Sequence, residues 1–255
     1  MSDTKLERPL NSTNININTQ CSNIGTSDQN STEQVHLLKQ LIHAIPKVEL
    51  HLHLEGTLEP ELVVQLAKRN CIDLSPHSKN EGELRKLYEH FTGLNSFLEV
   101  YYQAASVLRT KRDFYDLAMA YFERAHHDNV VYAEVFFDPQ CHKNDRGISF
   151  ETCANGILAA MEDAHTNYGI TSKLIVCFLR HLSEESAIST WNDVRDYIKT
   201  HPGSKSRIIG VGLDSSEIGN PPQKVCAVLR IISCALSRCI CYTLYFFMIT
   251  FLPNC

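Results

Sequence analysis

Two histidines one residue apart are the feature of this sequence best suited to chemistry. His51 and His53 lie in the segment Lys47-Val-Glu-Leu-His-Leu-His-Leu, whose polar and apolar residues alternate as in a half-buried strand. Because side chains at positions i and i+2 of a strand point to the same side, both imidazoles can bind one metal ion. Zinc accepts neutral imidazole nitrogens and, in catalytic sites, keeps a coordination position open for water. The alternative is a polar strand face that carries two histidines and no metal.

The same alternation predicts which side chains accompany the two histidines. It places Val48, Leu50, Leu52 and Leu54 on one face of the strand and puts Glu49 beside the histidines on the other. Seven of the other histidines fall in helices or loops and show no ligand spacing: His36, His43, His77, His90, His142, His165 and His201.

Four strands separated by helices are predicted to position these residues. The strands are predicted at 47–54, 130–138, 173–180 and 207–214, and the helices at 59–70, 83–91, 95–108, 112–129, 150–167 and 184–199. This alternation predicts an α/β fold of βαβ units around a parallel sheet. A short amphipathic helix is also expected around residues 35–42, ended by Pro46.

Polar residues collect where the predicted strands end, beginning with the histidine pair. Asp138 follows the second strand, Arg180 and His181 the third, and Asp214 and Glu217 the fourth. A (β/α) barrel builds its active site at that edge of the sheet.

Composition limits the function classes and divides the chain. A net charge of −5 over 255 residues provides no basic field for nucleic acid.

Asn, Ser and Thr make up 14 of the 22 residues in 11–32, which predicts a disordered arm over residues 1–32. Residues 225–255 contain no Asp, Glu, His or Gly but five of the ten cysteines. We therefore expect a partial barrel domain at 33–224, followed by an unrelated hydrophobic tail.

Several segments, in order and at matching spacing, resemble the zinc-dependent adenosine/adenine deaminase family and look most like its fungal adenine deaminase branch. They are Pro46-Lys-Val-Glu-Leu-His-Leu-His-Leu-Glu-Gly-Thr-Leu-Glu-Pro-Glu-Leu, 116–122, 130–140, 146–149, 169–181 and 212–217. The resemblance covers about residues 40–224. It implies the N-terminal half of a metal-dependent-hydrolase (β/α)8 TIM barrel, incomplete after its fourth strand.

The resemblance also implies a reaction and a set of site residues. The family hydrolyses the C6 amino group of a purine, and His51 and His53 match two of its zinc ligands. Its third zinc-binding His and its catalytic Glu belong to a His-Ala-Gly-Glu segment on the fifth strand, which has no counterpart in this sequence. The sequence therefore predicts one zinc ion with an incomplete ligand set, no catalytic residue, and a truncated chain that is inactive alone.

Glu55 and Glu217 are the predicted substrate-binding residues. The resemblance implies that Glu55 stands where adenosine deaminases usually carry an Asp that meets the ribose. Glu217, in Ser215-Ser-Glu, stands where they carry a small residue, so it could fill the ribose space and face the N9/N3 edge of a bare base. Both details favour adenine, converted to hypoxanthine and ammonia in purine salvage, although adenosine stays open as the substrate.

Two further hypotheses concern the whole chain. The first is a non-catalytic truncated product that self-associates, since a barrel stopped after four strands leaves two strand edges without partners. The second is a tail-anchored membrane protein, which we disfavour because the uncharged segment 239–252 has 14 residues, short of the roughly 20 needed to span a bilayer. Without an apolar leader, we expect a cytoplasmic protein that could also be nuclear.

Overall fold

A computed structural model describes residues 27–74 and 80–225 of the chain. The chain divides into two compact units, Met1–His43 and Ala44–Cys255. Residues 1–26 of the predicted arm and 226–255 of the predicted tail lie outside the described residues, and so does the segment weighed as a membrane anchor. In the described ranges, no helix has the length and apolar character needed to cross a bilayer.

The first unit is described through helix α1, Ser27–Ala44. The helix expected around residues 35–42 therefore forms, but it begins earlier and includes residues 27–32, which the sequence had assigned to the arm. Glu33 and Gln34, which favour a helical conformation, come directly after these residues. A helix that nucleates from residue 33 onwards can extend towards residue 27 at a low cost in free energy.

The second unit contains a parallel sheet with the strand order β1-β2-β3-β4. Its strands are β1 Lys47–His53, β2 Val130–Phe137, β3 Thr171–Leu179 and β4 Ile208–Asp214. Its helices are α2 Pro60–Arg69, α3 Glu81–Glu89, α4 Leu94–Ala105, α5 Lys111–His127, α6 Pro139–Arg146, α7 Phe150–Tyr168 and α8 Glu184–Thr200. This arrangement confirms the predicted α/β class, with helices connecting successive parallel strands as in the first half of a (β/α)8 barrel.

Apolar side chains pack on both faces of the sheet. The larger core lies between the sheet and the helices and includes the fully buried Phe114, Phe137 and Phe178. A smaller cluster of Phe136, Ile175 and Cys177, with Ile209 packed against it, belongs to the strands. Burial on two sides accounts for the nearly continuous apolar run in β3.

Close approaches in this core are possible because of two glycines. A Cβ on Gly156 of α7 would lie 2.4 Å from the Lys111 carbonyl oxygen and 2.8 Å from Phe114 Cβ on α5. A Cβ on Gly212 of β4 would lie 2.6 Å from Cys177 Sγ. Both contacts are too short for any other residue without movement of the backbone or neighbours.

A bulge in β1 makes the predicted alternation wrong for Glu49. The ladder pairs Glu49 with Ala133 and Leu52 with Val135, so β1 has one residue more than β2 over this stretch. The extra residue turns Glu49 towards the helices, where its Oε2 accepts a hydrogen bond of 2.5 Å from Tyr121 Oη on α5. Bulges of this kind re-aim side chains beside functional sites.

Helix α6 was not predicted from the sequence. Its eight residues are too few to show a helical period. Its boundaries nevertheless carry signals, since Pro139 occupies the first turn and Gly147, with a φ of 67°, ends the helix in the left-handed region. The omission matters because α6 brings His142 to the end of the sheet.

Candidate metal centre

The imidazoles of His51 and His53 converge at the C-terminal end of β1. Their Nε2 atoms lie 3.3 Å apart, and both rings pack on Phe136, with centroids 4.7 and 5.3 Å away. Two nitrogens bound to one tetrahedral zinc, each about 2.0–2.1 Å from the metal, lie about 3.3–3.4 Å apart. The spacing of the two predicted ligands therefore fits a shared zinc ion.

Asp214, at the end of β4, orients the second of these histidines. Its Oδ2 lies 3.2 Å from Nδ1 of His53. Burial disfavours the charged imidazole, but the contact with Asp214 outweighs it and raises the pKa of His53 above its ordinary value. A carboxylate on the far nitrogen is the usual support of a metal-binding histidine, because it leaves Nε2 free to bind the metal.

Asp138, which follows β2, forms a close carboxyl pair with Asp214. One oxygen of each and a ring nitrogen of His53 lie within 4.8 Å of one another, and Asp138 is only 2% exposed. Burial, together with the Glu55 and Asp214 carboxyl groups, raises the pKa of Asp138 well above its ordinary value. Burial opposes ionisation of Asp214 too, but its contacts with His53 and Asp138 prevail and lower its pKa. Of the two carboxyl groups, Asp138 therefore binds a proton more readily and Asp214 ionises more readily.

Glu55 lies beneath this edge, in a buried network. It is 1% exposed, and its Oε1 accepts a 3.0 Å hydrogen bond from the Asp138 backbone N–H. The same oxygen lies 3.1 Å from His142 Nε2, and the other carboxyl oxygen accepts from Tyr101 Oη at 3.3 Å. The structure therefore places this predicted substrate-binding residue among protein partners on both of its oxygens.

His142 is the residue of this network that sequence reasoning missed. It is fully buried and stacks on Phe137 with 5.5 Å between the ring centroids. Its Nδ1 lies 3.2 Å from Arg146 Nη2; because a guanidinium can only donate, Nδ1 must accept and Nε2 must carry the proton that faces Glu55. Burial, which outweighs the opposing influence of Glu55, lowers the pKa of His142, so the imidazole is neutral.

A second group of potential ligands, Glu55, Cys141 and His142, lies within the same buried network. Burial raises the pKa of the Cys141 thiol well above its ordinary value, which disfavours the free thiolate at this position. Cys141 Sγ instead donates to the Asp138 carbonyl oxygen at 3.1 Å. We interpret this group as a structural polar cluster and not as a second metal site.

Glu217 lies beyond the end of β4, anchored to a buried arginine. Its Oε1 is 3.1 Å from Arg180 Nη1, and the two side chains are 77% and 7% exposed. Nearby, Ser215 Oγ lies 2.7 Å from His181 Nδ1, and Ser215 takes the left-handed backbone conformation with a φ of 80°. This turn carries Glu217 out from the sheet edge, so it is the more exposed of the two predicted substrate-binding residues.

Comparison with known proteins places this geometry in context. The profile of a family described as adenosine deaminase matches residues 46–238, which extends past residue 224, the predicted end of the barrel domain. The chain is 53% identical to an adenine deaminase of Vibrio parahaemolyticus over 193 residues, covering 76% of the chain and 54% of the relative. It is 50% identical to an adenine deaminase of Caulobacter vibrioides over 191 residues, covering 75% and 52%. These relatives are bacterial, which corrects the expected fungal branch in that detail.

Solved structures give the same picture of the fold. The adenine deaminase from Arthrobacter aurescens superposes with a TM-score of 0.67 at 43% identity, covering 74% of this chain and 55% of that one. An amidohydrolase from Burkholderia ambifaria with bound zinc superposes with a TM-score of 0.65 at 28% identity, covering 77% and 51%. This chain spans about half the length of the relatives that it matches.

Proposed function

Because the chain belongs to the adenosine deaminase family, we propose that it forms the zinc-binding half of an enzyme that hydrolyses adenine to hypoxanthine and ammonia. The observation that carries the proposal is the 3.3 Å separation of the Nε2 atoms of His51 and His53, with Asp214 on the far nitrogen of His53. Zinc bound there would lower the pKa of a water molecule and supply a hydroxide nucleophile near neutral pH.

The chain's own residues fix the geometry around that ion. Phe136 packs against both imidazoles and limits their rotation. The Asp214 carboxylate lies 3.2 Å from Nδ1 of His53, where it favours the tautomer that carries a proton on Nδ1 and can bind a metal through Nε2. Asp138 lies against this carboxylate, since one oxygen of each lies within 4.8 Å of the other and of a His53 ring nitrogen, and its raised pKa reduces the repulsion between the two carboxyl groups.

Glu217 is the residue proposed to select a free base over a nucleoside. Its contact with Arg180 holds one carboxylate oxygen, which leaves the other available as an acceptor. A bare adenine can present an N9–H donor to that oxygen, whereas a nucleoside carries its sugar on N9. We assign Glu55 a supporting position behind Asp138, because protein groups already occupy both of its oxygens.

Completion of this site needs the groups that the family carries on later strands. We propose that the chain alone does not turn over adenine, because the zinc-binding His and the catalytic Glu of the His-Ala-Gly-Glu segment have no counterpart in its sequence. The enzyme completed by those groups would serve purine salvage in the cytoplasm; the relatives lend no support to a nuclear location. Self-association through the edges of β1 and β4 stays a prediction.

A chimera tests the proposal directly. Residues 46–224 of this chain would replace the matching segment of the Vibrio parahaemolyticus enzyme, which supplies the later strands. We expect zinc-dependent release of hypoxanthine and ammonia from adenine, abolished by His51→Ala and by His53→Ala. A folded, zinc-loaded chimera that leaves adenine unchanged, or that prefers adenosine, would contradict the proposal.

A further inference from the structure

We infer that Tyr101 is a positioning residue for the zinc ligands, because its hydroxyl ties helix α4 to the carboxyl groups that support His53. The inference rests on the proposed function, in which His51 and His53 bind zinc. Tyr101 does not reach the metal site itself and acts through Asp138 and Asp214.

The hydroxyl of Tyr101 joins the ends of two strands. It lies 3.1 Å from Asp138 Oδ2, after β2, and 3.3 Å from Glu55 Oε2, after β1. Asp138 and Glu55 are linked a second time, since the Asp138 backbone N–H donates to Glu55 Oε1 at 3.0 Å. The one O–H proton of Tyr101 is shared between these two carboxyl oxygens and, with the Asp138 N–H bond, links Asp138 and Glu55 in a ring that restricts the rotation of both carboxyl groups.

Packing fixes the direction in which this hydroxyl points. Tyr101 is 7% exposed, and its ring meets Tyr102 edge-on, with centroids 5.2 Å apart. Its other neighbours include Gly56, where an added Cβ would lie 3.6 Å from the ring. Hydrogen bonds of a rigid, buried group are stronger than those of a solvated one, because the local dielectric is low.

The path from Tyr101 to the metal is short. Asp138 reaches the site through Asp214, and one oxygen of each lies within 4.8 Å of the other and of a His53 ring nitrogen. Asp214 Oδ2 in turn lies 3.2 Å from Nδ1 of His53. If Asp138 rotates, Asp214 loses its neighbour, and His53 is no longer held with its Nε2 atom 3.3 Å from that of His51.

The chain offers a matched control for loss of this hydroxyl. Tyr197 on α8 is also 7% exposed, and its hydroxyl makes one hydrogen bond, 2.8 Å long, to Asn155 Oδ1 on α7. Tyr101→Phe and Tyr197→Phe each remove one hydroxyl from a tyrosine of the same overall exposure. A merely structural role would therefore give both variants the same zinc affinity.

The test measures zinc affinity of the full chain by chelator competition, with Zn²⁺ alone as the probe. Removal of a group that supports a metal ligand weakens metal binding by about 10–100-fold. We expect Tyr101→Phe to fall near the lower end of that range and Tyr197→Phe to match the wild type. The visible spectrum of the Co²⁺-loaded chain should change for Tyr101→Phe alone, because it reports ligand geometry.

A second variant covers the case in which Tyr101→Phe fails to fold. Asp138→Leu removes the carboxyl group that lies between Tyr101 and Asp214, so it should bind zinc at least tenfold more weakly than Tyr197→Phe. The inference is wrong if Tyr101→Phe matches Tyr197→Phe, or if Asp138→Leu keeps wild-type affinity. A wild-type chain whose zinc binding is absent or insensitive to His51→Ala would instead overturn the proposed metal site, and this inference with it.

Discussion

Glu55 Oε1 lies 3.1 Å from His142 Nε2, although 87 residues separate the two in the sequence. The contact joins the turn after β1 to helix α6, and neither side chain is accessible to solvent. Because Arg146 occupies the other ring nitrogen of His142, the direction of the hydrogen bond is fixed. The buried hydrogen-bond network beneath the candidate metal site therefore includes a histidine that is not one of the proposed zinc ligands.

Substitution of His142 should destabilise the fold. His142→Leu removes a donor from a buried carboxyl oxygen, and a buried polar group that loses its partner costs about 1–3 kcal/mol. We expect a loss of that size in the free energy of unfolding, measured by urea denaturation. His165→Leu, at an exposed position of α7, provides the control and should change it by less than about 0.5 kcal/mol. Equal effects of the two substitutions would contradict the structural role of His142.

Stability should also depend on pH through His142. Its pKa in the folded chain is lowered by burial, so the unfolded chain, with an ordinary pKa of about 6.5, binds the proton first. The stabilisation is complete above about pH 6.5 and is lost as the pH falls from there through the lowered folded pKa. The charged groups that face this ring are Glu55, Asp145 and Arg146.

The measurement compares urea denaturation of the wild type and His142→Gln between pH 7.5 and pH 5.5. The wild type should lose more stability than the variant on acidification, because only the wild type has this imidazole to protonate on unfolding. Parallel curves for the two proteins would show that His142 does not contribute to the pH dependence.

The strands and long helices could be predicted because their hydrophobic periods extend over many residues. The four strands and the polar residues at their ends followed from that pattern, and so did the pairing of His51 with His53. The orientation of Glu49 could not be predicted, because a one-residue bulge reverses the alternation and depends on pairing with β2. His142 was missed because its role depends on contacts with Glu55 and Arg146, which local sequence does not indicate. The helix that carries it is also too short to show a hydrophobic period.

Loss of either histidine should remove most of the zinc affinity of the chain. His51→Ala and His53→Ala each delete a ligand, so their effect should exceed the 10–100-fold loss typical of supporting residues. His126→Ala, at an exposed position of α5, should bind zinc as the wild type does. Chelator competition with Zn²⁺ checks the three variants side by side. Weakening by His126→Ala as large as by His51→Ala would place the zinc elsewhere.

The close packing of α5 and α7 predicts a steric effect at Gly156. A Cβ there would approach the Lys111 carbonyl oxygen to 2.4 Å, and overpacking of this kind costs about 1–3 kcal/mol. Gly156→Ala should therefore lower the free energy of unfolding, despite the higher helix propensity of Ala. At Gly203 an added Cβ meets no atom within 4 Å, so Gly203→Ala should be nearly neutral. A stable Gly156→Ala variant would mean that the two helices separate without penalty.

Glu217 should control the choice between adenine and adenosine in the chimera with the Vibrio parahaemolyticus enzyme. Glu217→Gly removes a charge-assisted acceptor worth about 1.5–3 kcal/mol, which corresponds to a fall of about 10- to 150-fold in kcat/KM for adenine. It also opens space for a ribose, so the kcat/KM for adenosine should rise. Glu217→Gln keeps the size without the charge, so it should lower activity on adenine without improving activity on adenosine. Because Glu217→Gly removes and Glu217→Gln weakens the contact with Arg180, loss of stability is measured separately for each variant by thermal unfolding. Unchanged selectivity in Glu217→Gly would refute the assignment of Glu217 to the substrate's N9 edge.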